Sequence, residues 1–199
     1  MAKFVLSGLF ILWAVVLLTT GGAVLLGRLE NSDFIAYMSN RRLNPEIYVQ
    51  DMGRLLSVQV TKNSQWADTP AWSYDGRLAY AASTDGNWEI YILDSLTSAA
   101  VNKTYSSDRN DYSPAWSRDG RLAFVSARPN YFGEIYILDT DSGIITNTKK
   151  VGMTPAWSAD GRLAFSSNWS GNWEIYVYDL QTDSAVNVSN HRFDDWSPS

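Results

Sequence analysis

The chain of 199 residues has no cysteine and a single histidine, His191. The first absence excludes a disulfide framework, thiolate metal sites, iron–sulfur clusters and a cysteine nucleophile. The second takes away the usual donors for zinc and the base of a serine triad, and His191, within Asn-His-Arg-Phe, reads as a surface loop residue. Charged side chains make up only 19% of the sequence, with a formal net charge of −5, which argues against wrapping a nucleic-acid backbone. The sequence has no phosphate-cradling glycine loop, no Gly-x-Ser-x-Gly elbow and no dense acidic loop of the kind calcium requires. These absences point away from catalysis and call for no cofactor and no metal. Aromatics, in contrast, are plentiful: nine Trp, eleven Tyr and seven Phe. Such a chain is not disordered, and it is long enough to bury a core of its own.

Residues 4–27 carry no charge and are rich in Leu, Val, Phe and Ile; Lys3 precedes them and Arg28 follows. About 20 apolar residues span a hydrocarbon layer of about 30 Å, so the run is long enough for a transmembrane helix. A cleaved signal peptide is the competing reading, with Thr19 to Ala23 as the small-residue site. Apolar residues resume at Val24, which favours an uncleaved anchor. Charge counting is nearly balanced between the two ends and does not fix the orientation. The expected organisation is a short tail at 1–3, a membrane helix at 4–27, a linker at 28–33 and a folded domain at 34–199. Gly21, Gly22 and Ala23 form a small-residue patch suited to packing against another membrane helix.

Internal repeats dominate the rest. Pro-Ala-Trp-Ser stands at 70–73, 114–117 and 155–158, spacings of 44 and 41 residues. Each copy leads into Asp-Gly-Arg-Leu-Ala-aromatic, then into Glu-Ile-Tyr at 89–91, 134–136 and 174–176, then into a short apolar run. Alternating apolar and polar residues punctuated by Asp-Gly turns read as short antiparallel strands a, b, c and d. Four strands per period of about 40–45 residues is the pattern of a β-propeller blade. An incomplete unit precedes these, with Ala36-Tyr37 matching strand b and 46–51 matching strand c, but with no strand a. At the other end, residues 195–199 (Asp-Trp-Ser-Pro-Ser) resemble the approach to a strand a that has no strand b behind it. The expected fold is therefore all-β, a four-bladed propeller of four-stranded antiparallel blades, the first blade closed by the C-terminal segment. An open arc completed by a partner is the alternative.

Pro-Ala-Trp-Ser with Asp-Gly-Arg-Leu-Ala, followed by Gly-Asn-Trp-Glu-Ile-Tyr at 86–91 and 171–176, resembles the TolB-type propeller repeats over roughly residues 33–199. That resemblance implies a bacterial, exported propeller that binds other proteins. It also tips the orientation towards a propeller on the periplasmic or extracellular side of the cytoplasmic membrane. The chain departs from the pattern in having four units rather than six and no separate α/β domain. The expected function is a membrane-anchored, non-catalytic accessory subunit of a larger membrane complex, its partners being integral membrane proteins and the bilayer itself. An exported propeller that binds a glycan, small molecule or cation is the alternative.

Trp72, Trp116 and Trp157 recur in every full unit and are expected to pack between blades. Asp75, Asp119 and Asp160 are expected to fix hairpin turns. Trp88, Tyr131, Phe132, Trp169 and Trp173 fall in the connections between strands b and c. They form a candidate partner-binding rim, with packing over a neighbouring blade as the equal alternative. Asp68, Asp111, Asp194 and Asp195 precede strand a and form a candidate acidic rim, or else ordinary solvated loops.

Overall fold

The computed structural model describes residues 34–41, 44–62, 66–84, 86–96 and 98–199, together with the backbone of 17–19 and 22–24. Two compact units result, Met1–Asp33 and Phe34–Ser199. In the first, β1 (Leu17–Thr19) and β2 (Gly22–Val24) pair antiparallel. The rest of the expected helix at 4–27, Gly21 included, lies outside the described residues, and none of the described residues forms a helix long and apolar enough to cross a membrane.

The second unit is all β-sheet. Blade 1 contains β3 (Phe34–Ser39), β4 (Glu46–Asp51) and β5 (Leu56–Gln59). Blade 2 contains β6 (Trp66–Trp72), β7 (Leu78–Ser83), β8 (Trp88–Leu93) and β9 (Val101–Asn102). Blade 3 contains β10 (Asn110–Trp116), β11 (Arg121–Ala127), β12 (Glu134–Asp139) and β13 (Ile145–Val151). Blade 4 contains β14 (Met153–Trp157), β15 (Leu163–Ser167), β16 (Glu174–Asp179) and β17 (Ser184–Asn187). Each sheet runs antiparallel in chain order, so neighbours in sequence are neighbours in space.

The repeated letters do repeated work. In all four blades an aromatic on strand b faces a tyrosine on strand c: Tyr37–Tyr48, Tyr80–Tyr91, Phe124–Tyr136 and Phe165–Tyr176, with ring centroids 5.7–6.0 Å apart. These pairs fix the equivalence of positions between blades. Every a–b hairpin is tied in one way. The Ser73, Ser117 and Ser158 hydroxyls accept from the backbone N–H of Arg77, Arg121 and Arg162 at 2.7–3.0 Å, and each donates to Asp75, Asp119 or Asp160. The turn glycines Gly76, Gly120 and Gly161 take φ between +84° and +88°, which only glycine adopts without strain.

Blades join through aromatic and main-chain contacts. The Trp116 indole N–H donates to the Ala71 carbonyl and that of Trp157 to the Ala115 carbonyl, both at 3.1 Å. The guanidinium groups of Arg77 and Arg121 lie over those same indoles at 4.5 and 4.7 Å. Ile90 and Ile92 of blade 2 pack with Leu122 and Phe124 of blade 3; Ile135 and Ile137 of blade 3 pack with Leu163 and Phe165 of blade 4.

Closure of blade 1 differs from expectation. Its sheet has three strands, β3 lying at the edge with β4 as its partner. The segment 194–199 forms no ladder with β3. Its backbone is instead held on blade 4, where Asp195 N–H donates to the Trp173 carbonyl at 2.8 Å and Ser197 N–H to Ser166 Oγ at 3.1 Å. The physical reason lies in what the preceding blade offers. Ala67 N–H donates to the Pro45 carbonyl and Gly152 N–H to the Gly133 carbonyl in the same way. In blades 2 and 4 strand a is thus docked on the preceding blade as well as paired within its own.

Candidate protein-interaction surface

The Asn-Trp-Glu signature builds the rim. Asn87 Nδ2 lies within hydrogen-bonding distance of Glu89 Oε1 (2.7 Å) and of the Ser106 and Arg109 carbonyls; Asn172 Nδ2 lies in the same way near Glu174 Oε1 (2.9 Å) and the His191 and Phe193 carbonyls. The glutamates at the head of strand c are buried and take hydroxyl hydrogen bonds from Thr61, Thr104 and Ser189 in blades 1, 2 and 4. Hydrogen bonds from Ser189 and Asn172, acting against desolvation, hold the Glu174 carboxyl below its ordinary range. In blades 2 and 4 these clamps fasten the connection that runs from strand d to the next strand a.

The five rim aromatics divide between solvent and core. Tyr131 and Phe132 are 75% and 61% exposed. Phe132 meets the edge of Trp173 at 6.1 Å, and Trp173 lies against Trp196 at 4.1 Å, so Phe132, Trp173 and Trp196 form a continuous aromatic row. Trp196, which the sequence places in the approach to a strand a, is 49% exposed. Trp169 sits edge-on to Phe165 and Tyr176, half covering the blade 4 aromatic pair. Trp88 packs into the blade 2–blade 3 core. It also lines a cavity of about 380 Å³ with Asp68, Thr69, Ala81, Asn110 and Tyr112, where Thr69 Oγ1 is buried without a hydrogen-bond partner.

The four acidic residues differ in exposure and in partners. Asp111 is only 2% exposed, inside β10; Ser106 donates to its Oδ2 at 2.9 Å while Oδ1 has no partner, and burial pushes its carboxyl up. Asp68 belongs to β6 and bonds the N–H of Thr69 at 2.6 Å. Asp194 accepts from Trp173 N–H at 2.9 Å, the place that Asn110 takes on Trp88 N–H at 3.0 Å. It therefore fastens the segment that carries Asp195 and Trp196. Gly22 and Ala23 fall in β2. Among the described residues no three His, Asp or Glu side chains converge as a metal site.

Four sheets of this kind, joined through tryptophan and strand-a contacts, define a β-propeller repeat protein. Residues 29–146 match the TolB beta propeller domain family (PD40), and the chain belongs to that family. Among solved structures, TolB from Acinetobacter baumannii is 26% identical with a TM-score of 0.67, covering 82% of this chain and 42% of that one. A putative TolB from Agrobacterium tumefaciens is 23% identical with a TM-score of 0.68, covering 77% and 58%. The chain thus spans about half the length of these TolB chains. A puromycin-hydrolyzing peptidase of Mycobacterium tuberculosis is 14% identical with a TM-score of 0.63, a likeness of fold alone that covers 78% of this chain and 27% of that one. No curated protein matches the chain.

Proposed function

We propose that the chain is a membrane-anchored, non-catalytic propeller. It serves as a protein–protein interaction and structural accessory subunit of a larger membrane complex on the periplasmic or extracellular side. The observation that carries this reading is the aromatic row Phe132–Trp173–Trp196 with Tyr131 beside it. Large exposed rings in a contiguous row are what protein interfaces use as anchors. The apolar run at 4–27 is long enough to supply the membrane attachment. The TolB propeller family supports an exported location.

Mild detergent extraction followed by mass spectrometry of the intact assembly tests the reading. Stoichiometric integral membrane partners are expected, and they should be lost on Tyr131→Ser with Phe132→Ser while the melting temperature holds. A chain that purifies alone, or that keeps its partners without those rings, overturns it. The cavity beside Trp88 favours a second reading, an exported ligand-binding propeller, since an aromatic face next to Asp68 and Asn110 suits a sugar ring. Protection of Trp88 fluorescence by oligosaccharides is its signature.

A further inference from the structure

The junction of blades 2 and 3 holds the cavity of about 380 Å³ lined by Asp68, Thr69, Ala81, Trp88, Asn110 and Tyr112. The repeat supplies a control, because each of these positions has a counterpart one blade further on. The pairs Asp68–Ala81, Tyr112–Val125 and Met153–Ser166 set the register of strands a and b, and Glu89 and Glu134 set that of strand c. The counterparts at the junction of blades 3 and 4 are therefore Tyr112, Ser113, Val125, Gly133, Val151 and Met153. There Val125, fully buried, takes the space that a Cβ on Gly133 would need. Between blades 2 and 3 the smaller Ala81 stands for Val125 and the larger Trp88 for Gly133, so the two positions change together. Asp68 and Asn110 stand for Tyr112 and Val151. A seam of this propeller forms without a carboxylate or an amide at those places, so the fold itself does not call for them.

The polar groups of the cavity have few partners inside the chain. Thr69 Oγ1 is buried with no hydrogen-bond partner. Asp68 Oδ1 takes the adjacent N–H of Thr69, and the ion pairs among the described residues all use other carboxylates. Arg109, next to Asn110 in sequence, lies instead over Tyr136 and within 4.0 Å of Glu134. Asn110 Oδ1 accepts from Trp88 N–H at 3.0 Å and so ties one wall of the cavity to the other. A carboxylate beside two aromatic rings attracts positive charge. Ring quadrupoles draw a cation to their faces, and a hydrogen bond to an ionised group is about twice as strong as one between neutral groups. The volume falls within the range of about 300–1,000 Å³ usual for small-molecule sites.

We infer that this cavity binds a small organic ammonium ion. The positive head lies between the Asp68 carboxylate and the Trp88 ring, a hydroxyl or N–H of the ligand meets Thr69 Oγ1, and the carbon portion rests against Ala81 and Tyr112. A neutral sugar would fill the same volume but leave the charge of Asp68 uncompensated, which is what selects a cation. The inference rests on the ligand-binding reading of this cavity and names a charged ligand where that reading takes a sugar ring. It asks nothing of the membrane complex.

Equilibrium dialysis of radiolabelled choline against the full-length chain in detergent tests it directly. Saturable binding is expected. Neohexyl alcohol, which has the shape of choline with carbon in place of nitrogen, should compete at least about tenfold more weakly than unlabelled choline. Asp68→Asn keeps an acceptor for the Thr69 N–H, so it should hold its melting temperature while the dissociation constant for choline rises at least about tenfold. Asp195→Asn removes the same charge elsewhere and should bind choline as the native chain does. The proposal is overturned by an absence of saturable choline binding, by equal competition from neohexyl alcohol, by unchanged affinity in Asp68→Asn, or by an equal loss in Asp195→Asn. Radiolabelled maltotriose, dialysed in parallel, separates this inference from the reading beneath it. Binding of maltotriose without choline keeps the ligand-binding reading and ends the cationic one, and binding of neither ends both.

Discussion

Ile35 and Leu122 occupy the same place in the repeat, yet one stands half in water and the other is sealed. Both are branched aliphatic residues at the head of strand b, facing a strand c of nearly the same composition. The difference comes entirely from what lies next to them. Blade 3 has its own strand a and a whole blade in front of it, whereas blade 1 has neither among the described residues. Burial in this molecule is thus a property of the junction between units, and the repeat sequence specifies only the capacity for it. The same holds at the far end, where Ile175 is half-buried and its counterparts Ile90 and Ile135 are fully buried.

That comparison can be broken most sharply by truncating both residues. Leu122→Ala should cost about 2–5 kcal/mol of stability, the usual range for a sealed leucine. Ile35→Ala should cost less than about 1 kcal/mol. Denaturant titrations of the full-length chain in detergent read both, and equal losses would mean that blade 1 is as enclosed as blade 3. Next in size is Gly152→Ala at the junction of blades 3 and 4. A Cβ there would lie 2.4 Å from Phe165 and 2.8 Å from the Ser166 carbonyl, so overpacking should cost about 1–3 kcal/mol in the same titration.

Smaller still is the indole contrast. Trp116→Phe loses the hydrogen bond to Ala71 and should cost about 1 kcal/mol more than Trp72→Phe, whose N–H has no acceptor among the described residues. The smallest effect belongs to the a–b turns. The Asp160 carboxyl is held at about 2 by hydrogen bonds from Arg162 and Ser158, and Asp119 is lowered likewise by Arg121 and Ser117. A carboxylate whose folded pKa is depressed contributes its stability above the unfolded value, near 4, and loses it as the pH falls towards 2. The melting temperature of the native chain should therefore drop more steeply between about pH 4 and pH 2 than that of Asp160→Asn.

The blades were legible because their signals are local. Asp-Gly-Arg carries its own turn, and the Ser and Asp that tie it lie within five residues of each other. Glu-Ile-Tyr carries its alternation. The positive-φ bulge at Thr69, Ser113 and Thr154 was not legible, since none is glycine and the strain is held by pairing on both sides. Asp68 and Asp111 sit one step apart relative to that bulge, so one lines a cavity while the other is buried. The position of 194–199 was half legible. Its letters identified a strand a but not the blade that would hold it, which depends on Asn172 gripping the His191 and Phe193 carbonyls across nearly twenty residues. The repeated Asn-Trp-Glu at 87–89 and 172–174 was the available clue.

The junction bonds that recur at residues 67, 152 and 195 are made largely by backbone atoms, which any sequence supplies. Duplicating or excising one period of the gene would therefore leave every seam intact and change only the angle the array subtends. Such an array can therefore vary its blade number in whole steps.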